Sequence, residues 1–188
     1  MGPVTVVKVG GSLLAHAERL DAVLAEIAIA RREAAMVVVP GGGPFADVVR
    51  DVDRRLGLSD DAAHWAAVLA MDQYAHVIVA RLERGVLVCE ASEIEPALNA
   101  GLIPVLAPYR WLRDADPLPH SWDVTSDSIA AWVAGQVGAH RLVLVKPPKA
   151  TGVLVDAHFP RALPPDVAAE VVPADRIEQL RSALRRSY

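Results

Sequence analysis

Short runs of consecutive apolar, β-branched residues alternate along this sequence with longer stretches of helical period, and that alternation limits the possible folds more than any single motif. TVVKV near the N-terminus, AMVVVP at 35–40, and then VLVC, IPVLAP and RLVLVK read as strands. They are apolar at almost every position instead of every second one, which suits strands covered by helices on both faces. Between the first two lies ERLDAVLAEIAIARRE, where Leu20, Val23, Leu24 and Ile27 recur at three- and four-residue steps. FADVVRDVDRRLG and SDDAAHWAAVLAMDQYAHVIVARLERG have the same period, and Ser59 with Asp60 and Asp61 supplies an N-cap and a negative first turn. Strand and helix in this order predict an α/β fold, a three-layer α/β/α sandwich on a mostly parallel central sheet, with a right-handed first crossover. Beyond Ala150 the text is loop-like and proline-rich until a last helix, ADRIEQLRSALRRS. No repeat or linker breaks it, so one domain over residues 1–188 is expected.

Charge and composition narrow the function. The 188 residues carry 19 basic and 23 acidic side chains, a net charge of −4, so there is no general electrostatic case for nucleic acid or an anionic membrane. No run approaches the ~18 apolar residues of a membrane span. The apolar N-terminal segment reads as a strand, not a leader, and a cytoplasmic protein is expected. A single cysteine, Cys89, fits a reducing compartment or a small core residue equally well. The six histidines show no paired spacing, so no metal site is read.

The chemistry is expected where strands end. In open α/β sheets ligands sit outside the carboxyl ends of the strands. There the first strand runs into Gly10, Gly11 and Ser12, and the second into Gly41, Gly42 and Gly43. Glycines let the backbone approach a ligand closely, so several N–H groups can converge on an anion, helped by a helix start beside each loop. Two such cradles suit a phosphate-bearing ligand, or two ligands exchanging a phosphate. Lys8 stands two residues before the first pair. Neither loop spells the dinucleotide fingerprint G-x-G-x-x-G, and the P-loop places its lysine after the glycines. A third stretch, HSWDVTSDSIAAWVAGQVGAHRLVLVK, predicts a helix capped by Ser126 with Asp127 in its first turn, where the helix dipole favours a carboxylate. On the same edge of the sheet, Asp127 could hold Lys8 charged and aimed.

Together, KVGGS at 8–12, PGGGP at 40–44 and TSDSIAAWVA at 125–134 resemble the amino acid kinase family, with the motifs in the family's order. The wording of SWDVTSDSIAAWVA and the small size are most similar to the branch linked to methanofuran and one-carbon cofactor biosynthesis, whose acceptor is aminomethylfuranmethyl phosphate. The resemblance implies ATP and Mg²⁺, with transfer of the γ-phosphoryl to an anionic oxygen of a phosphate, carboxylate or carbamate. It implies that Lys8 stabilises the moving group, that Gly10, Gly11 and Ser12 contact phosphates, and that Gly41, Gly42 and Gly43 bind the acceptor. Asp127 would orient Lys8 and a second lysine. A non-catalytic or regulatory binding protein on the same fold, or a kinase for a carboxylate, carbamate or nucleoside monophosphate, is the alternative.

Departures from the family pattern stand beside the likeness. VLVKPPKATGV replaces the usual Thr/Ser-Asp before a glycine turn, so Lys146 or Lys149 is the expected second phosphate-facing cation. About forty residues follow Ala150, which implies an adenine pocket that is abbreviated, completed by a neighbouring subunit, or lost. Trp122 could stack on a furan ring and Asp123 pair with an amine; a packing residue and a loop carboxylate are the alternative readings. His64 and Trp65 read as packing or subunit contacts. The apolar breadth of the helix they begin, like the family's habit, implies a homo-oligomer.

Overall fold

The computed structural model describes residues 4–148 and 155–185. These residues form a six-stranded sheet, all parallel, in the order β3-β4-β2-β1-β5-β6. The strands are β1 (Val4–Val9), β2 (Ala35–Pro40), β3 (Gly85–Val88), β4 (Ile103–Leu106), β5 (Ala139–Lys146) and β6 (Ala168–Pro173). Around them lie α1 (Ala17–Ala30), α2 (Gly43–Leu56), α3 (Asp60–Arg81), α4 (Ala91–Asn99), α5 (Tyr109–Ala115), α6 (Ser126–Gln136), α7 (Phe159–Ala162) and α8 (Ile177–Arg185).

The period of two along each strand sorts the core into two layers. Val7 and Val9, Met36 and Val38, and Val143 and Val145 pack with α1, the C-terminal half of α3, and α8. Val4 and Val6, Val37 and Val39, and Leu142 and Leu144 pack on the other face with α4, α6 and Phe159. Both faces are covered, which is why the strands carry no polar alternation. The buried polar residues of the strands are Thr5, Arg141 and Lys8, the last on a central strand and only 4 % exposed. Helix α3 joins both layers, since Val68 and Met71 belong to one and Tyr74, Ala75 and Ile78 to the other. It therefore lies against the carboxyl edge of the sheet.

Three sequence expectations change. A short 3-10 turn, Gly11–Ala15, separates the first glycine loop from α1, so no α-helix starts on those glycines. Helix α6 is capped by Thr125, whose side chain accepts the Asp127 N–H; Ser126 is already helical. The stretch after residue 154 contains the edge strand β6 before its final helix.

Candidate active site

Lys8 is the penultimate residue of β1, aligned with Val39 of β2 and Leu144 of β5, and Lys146 is the last residue of β5. Both amines therefore emerge at the same edge of adjacent strands. Asp127, in the first turn of α6, lies between them. Its Oδ1 is 2.9 Å from Lys8 Nζ and its Oδ2 is 2.5 Å from Lys146 Nζ. The whole sequence holds three lysines among its 19 basic residues. Two of them share this carboxylate, and the third, Lys149, lies outside the described residues.

Burial sets the electrostatics. It lowers the Lys8 pKa below the usual lysine value, against the pull of Asp127, and the neighbouring Lys146 charge pushes the same way as burial. Burial alone would raise Asp127, but the charges of Lys8 and Lys146 outweigh it and hold the carboxyl below its ordinary range. The cluster thus carries one anion under two cations, an excess of positive charge that a further anion would relieve.

A cavity of about 270 Å³ opens over this cluster. Its floor is Lys8, Asp127 and Lys146; Gly11 and Ser12 border one part, Gly42 and Gly43 another. The two glycine loops pack backbone to backbone. A Cβ on Gly11 would lie 2.1 Å from the Gly43 nitrogen, and Gly43 itself has φ +54°, open to glycine at little cost. The glycines are thus needed for the mutual approach of the loops as well as for approach to a ligand.

Not every expected residue reaches the cavity. The Gly10 N–H donates to the Val145 carbonyl and the Gly41 N–H to the Val9 carbonyl, at 2.9 and 2.8 Å. Those two amides continue the sheet ladder and are not offered to an anion, which corrects the expectation for Gly10 and Gly41. Asp123 does not line the cavity either; its exposed loop only brings Trp122 there. Trp122 is 37 % exposed, its Nε1–H donates to Asp53 at 2.8 Å, and the Arg50 guanidinium lies 4.9 Å over its ring. It is a cavity wall, not a core residue.

Several lining residues were not read as site residues from the sequence. Asp47 and Arg50 of α2, and Asp60 and His64 of α3, all face the cavity, and Ala63, Val68 and Met71 make an apolar side. Asp47, Arg50 and Asp53 recur at three-residue steps from the glycine loop, so one face of α2 points toward Trp122. His64 stacks on His120 with ring centroids 4.2 Å apart. Burial, reinforced by the charge of His120, lowers the His64 pKa to about 4 and leaves a neutral imidazole at the cavity wall.

The profile of the amino acid kinase family matches residues 3–154. The chain belongs to the amino acid kinase family. Among curated members of this family, the [5-(aminomethyl)furan-3-yl]methyl phosphate kinase of Methanocaldococcus jannaschii is 30 % identical over 141 residues. That match covers 74 % of this chain and 63 % of the relative, so the chain spans less than two thirds of that relative's length. Solved kinases share the fold. Uridylate kinase from Archaeoglobus fulgidus superposes with a TM-score of 0.71 at 16 % identity, covering 95 % of each chain. UMP kinase from Bacillus anthracis gives 0.68 at 13 % identity, covering 95 % of this chain and 90 % of its own. At such identities these two establish the amino acid kinase-like architecture and nothing finer.

Proposed function

We propose that this protein is a small-molecule kinase that moves the γ-phosphoryl of Mg·ATP onto an anionic oxygen, with an aminomethylfuran phosphomonoester as acceptor. The observation that carries the reading is Asp127 held between Lys8 and Lys146 on the floor of a glycine-bordered cavity. An acceptor phosphate is already deprotonated, so the reaction needs no general base. Catalysis then consists of holding two anions in line and neutralising charge on the phosphoryl in flight. In this reading Lys8 and Lys146 face the transferring group, and Asp127 keeps both amines aimed. Ser12 and Gly11 lie beside the nucleotide phosphates, Gly42 and Gly43 beside the acceptor, and Lys149 is retained as a nucleotide-side candidate. In this reading magnesium is carried on ATP oxygens and water.

The acceptor assignment rests on the relative's substrate and on the cavity wall. Trp122 offers a ring for stacking, and Asp60 replaces Asp123 as the carboxylate for an ammonium group, since it lines the cavity and Asp123 does not. No helix among the described residues is long and apolar enough to cross a membrane; we read the protein as a cytoplasmic homo-oligomer, which light scattering checks.

Calorimetry with Mg·ATP, followed by turnover on aminomethylfuranmethyl phosphate and on UMP, tests the reading. Binding of Mg·ATP and turnover on the furan phosphate are expected. Lys8→Ala should keep the fold, because Lys146 still pairs Asp127, and should lower turnover by about 10²–10³-fold. No heat with Mg·ATP, with or without acceptor, would remove the kinase and leave a binding protein.

A further inference from the structure

Asp156 lies 29 positions from Asp127 and belongs to none of the three glycine and helix motifs. Its carboxylate nevertheless gathers six hydrogen bonds. Oδ2 accepts from the Thr125 N–H at 2.9 Å, the Thr125 hydroxyl at 2.7 Å and the Ser128 N–H at 3.0 Å. Oδ1 accepts from the Ser128 hydroxyl at 2.5 Å, the His158 N–H at 3.1 Å and the Phe159 N–H at 2.8 Å.

Thr125 and Ser128 bracket Asp127 in the chain. Thr125 is the cap of α6, and its hydroxyl also accepts the Asp127 N–H at 3.3 Å. One carboxylate thus grips the backbone and side chain of both residues around Asp127, and it receives the Ser128 N–H, one of the free donors every helix start leaves. A cap alone needs a single acceptor. Asp156 is itself anchored from the other side, by the N–H groups that open α7, and α7 packs beside α6 through Phe159 in the same core layer. We propose that Asp156 is a positioning residue that fixes the first turn of α6, and through it the Asp127 carboxylate, in register with Lys8 and Lys146. This rests on the proposed kinase reading for its catalytic consequence.

The charge acts with the geometry. Lys8 is faced by Asp127, Lys146 and Asp156, and the Asp156 charge favours its protonated form. Asp127 contacts both lysines directly, and Asp156 acts one layer behind it.

The test is Asp156→Asn, which keeps the shape but removes the charge and turns one of the two acceptor oxygens into a donor. With ¹³C-labelled lysine the chain gives only three lysine signals, and the one lost in Lys8→Ala reports the Lys8 amine. In the variant the Lys8 midpoint should move down, because the Asp156 charge that favours the protonated amine is gone. Turnover should fall about 10- to 100-fold while KM for Mg·ATP changes less than about threefold, as expected for a misplaced group and not a lost binding contact. Asp156→Glu, which keeps the charge but not the reach, should restore the Lys8 midpoint and not the turnover. A lowered melting temperature with Lys8 midpoint and turnover as in the wild type would make Asp156 a helix cap only, and overturn the proposal. If Asp156→Asn does not fold, Ser128→Ala decides: turnover down about tenfold supports the clamp, unchanged turnover refutes it. If the wild type transfers no phosphoryl group, the kinase reading fails separately, and the Lys8 titration alone judges Asp156.

Discussion

A lysine with 4 % of its surface exposed remains a cation only when a carboxylate is placed to hold it, and here one carboxylate holds two. Removing either lysine leaves Asp127 still paired, whereas removing the acid leaves a buried and a half-buried amine with no carboxylate between them. Asp127→Asn should therefore cost more stability than Lys8→Ala or Lys146→Ala, about 3 kcal/mol by denaturant unfolding, with turnover lost. The lowered Lys8 pKa gives an activity limb on the alkaline side. In the proposed reaction Lys8 acts as a cation, so the rate should decline through a midpoint below the 10.5 of an ordinary lysine, and Asp127→Glu should shift that midpoint. His64 gives the opposite limb for stability. Its folded pKa of about 4 lies below the unfolded 6.5, so its contribution is complete above about pH 6.5 and disappears as the pH falls to about 4. His120, raised by its bond to Asp61, contributes in the reverse sense, present below 6.5 and lost above its own midpoint. His64→Leu should flatten the melting temperature between pH 4 and 6.5, and an unchanged slope would show that His64 does not set it.

At the scale of elements, the parallel strands were legible because their both-sided burial leaves a continuous apolar run; β2 coincides with the AMVVVP read from sequence. Strand β6 was not legible. It is an edge strand, AAEVVP, exposed at its first two positions and closed by Pro173, so it lacks the apolar continuity of the others. Helices α4 and α5 are short, and α4 carries Pro96, which weakens the sequence case for a helix. Glycine placement was readable but its reason was only half visible: the loops meet each other. Gly11→Ala should force the β1 and β2 loops apart and destabilise the fold by about 3 kcal/mol. Gly57→Ala, which meets open space but has φ +64°, should cost about 1 kcal/mol. Equal effects at the two positions would contradict the loop-on-loop account.

At the scale of the molecule, the cavity exists because α3 and the loop before α6 both lie over the carboxyl edge of one sheet. Ligands that bridge α2, α3 and α6 there should stabilise the whole fold. Saturating Mg·ATP at about 100 times its dissociation constant should add about 2.7 kcal/mol, read as a rise in melting temperature. Trp122 belongs to the same surface, and acceptor binding should change its emission. Trp122→Ala should remove that signal and raise KM for the acceptor about tenfold with kcat nearly kept, the value of one lost stacking and cation contact. A tenfold fall in kcat at constant KM would place Trp122 elsewhere in the reaction.

Local physics was enough to locate Lys8 at the end of a buried strand, Asp127 in a helix's first turn and the glycines between strand and helix. Each follows from contacts within a few residues, which periodicity and turn chemistry record. Only the tertiary structure decided that Lys146 shares Asp127 with Lys8, that Asp60 and not Asp123 lines the cavity, that the Gly10 and Gly41 amides belong to the sheet, and that Asp156 grips α6. Those pairings join residues far apart in the chain, set by strand order and helix crossing, and no local pattern of residues carries that information.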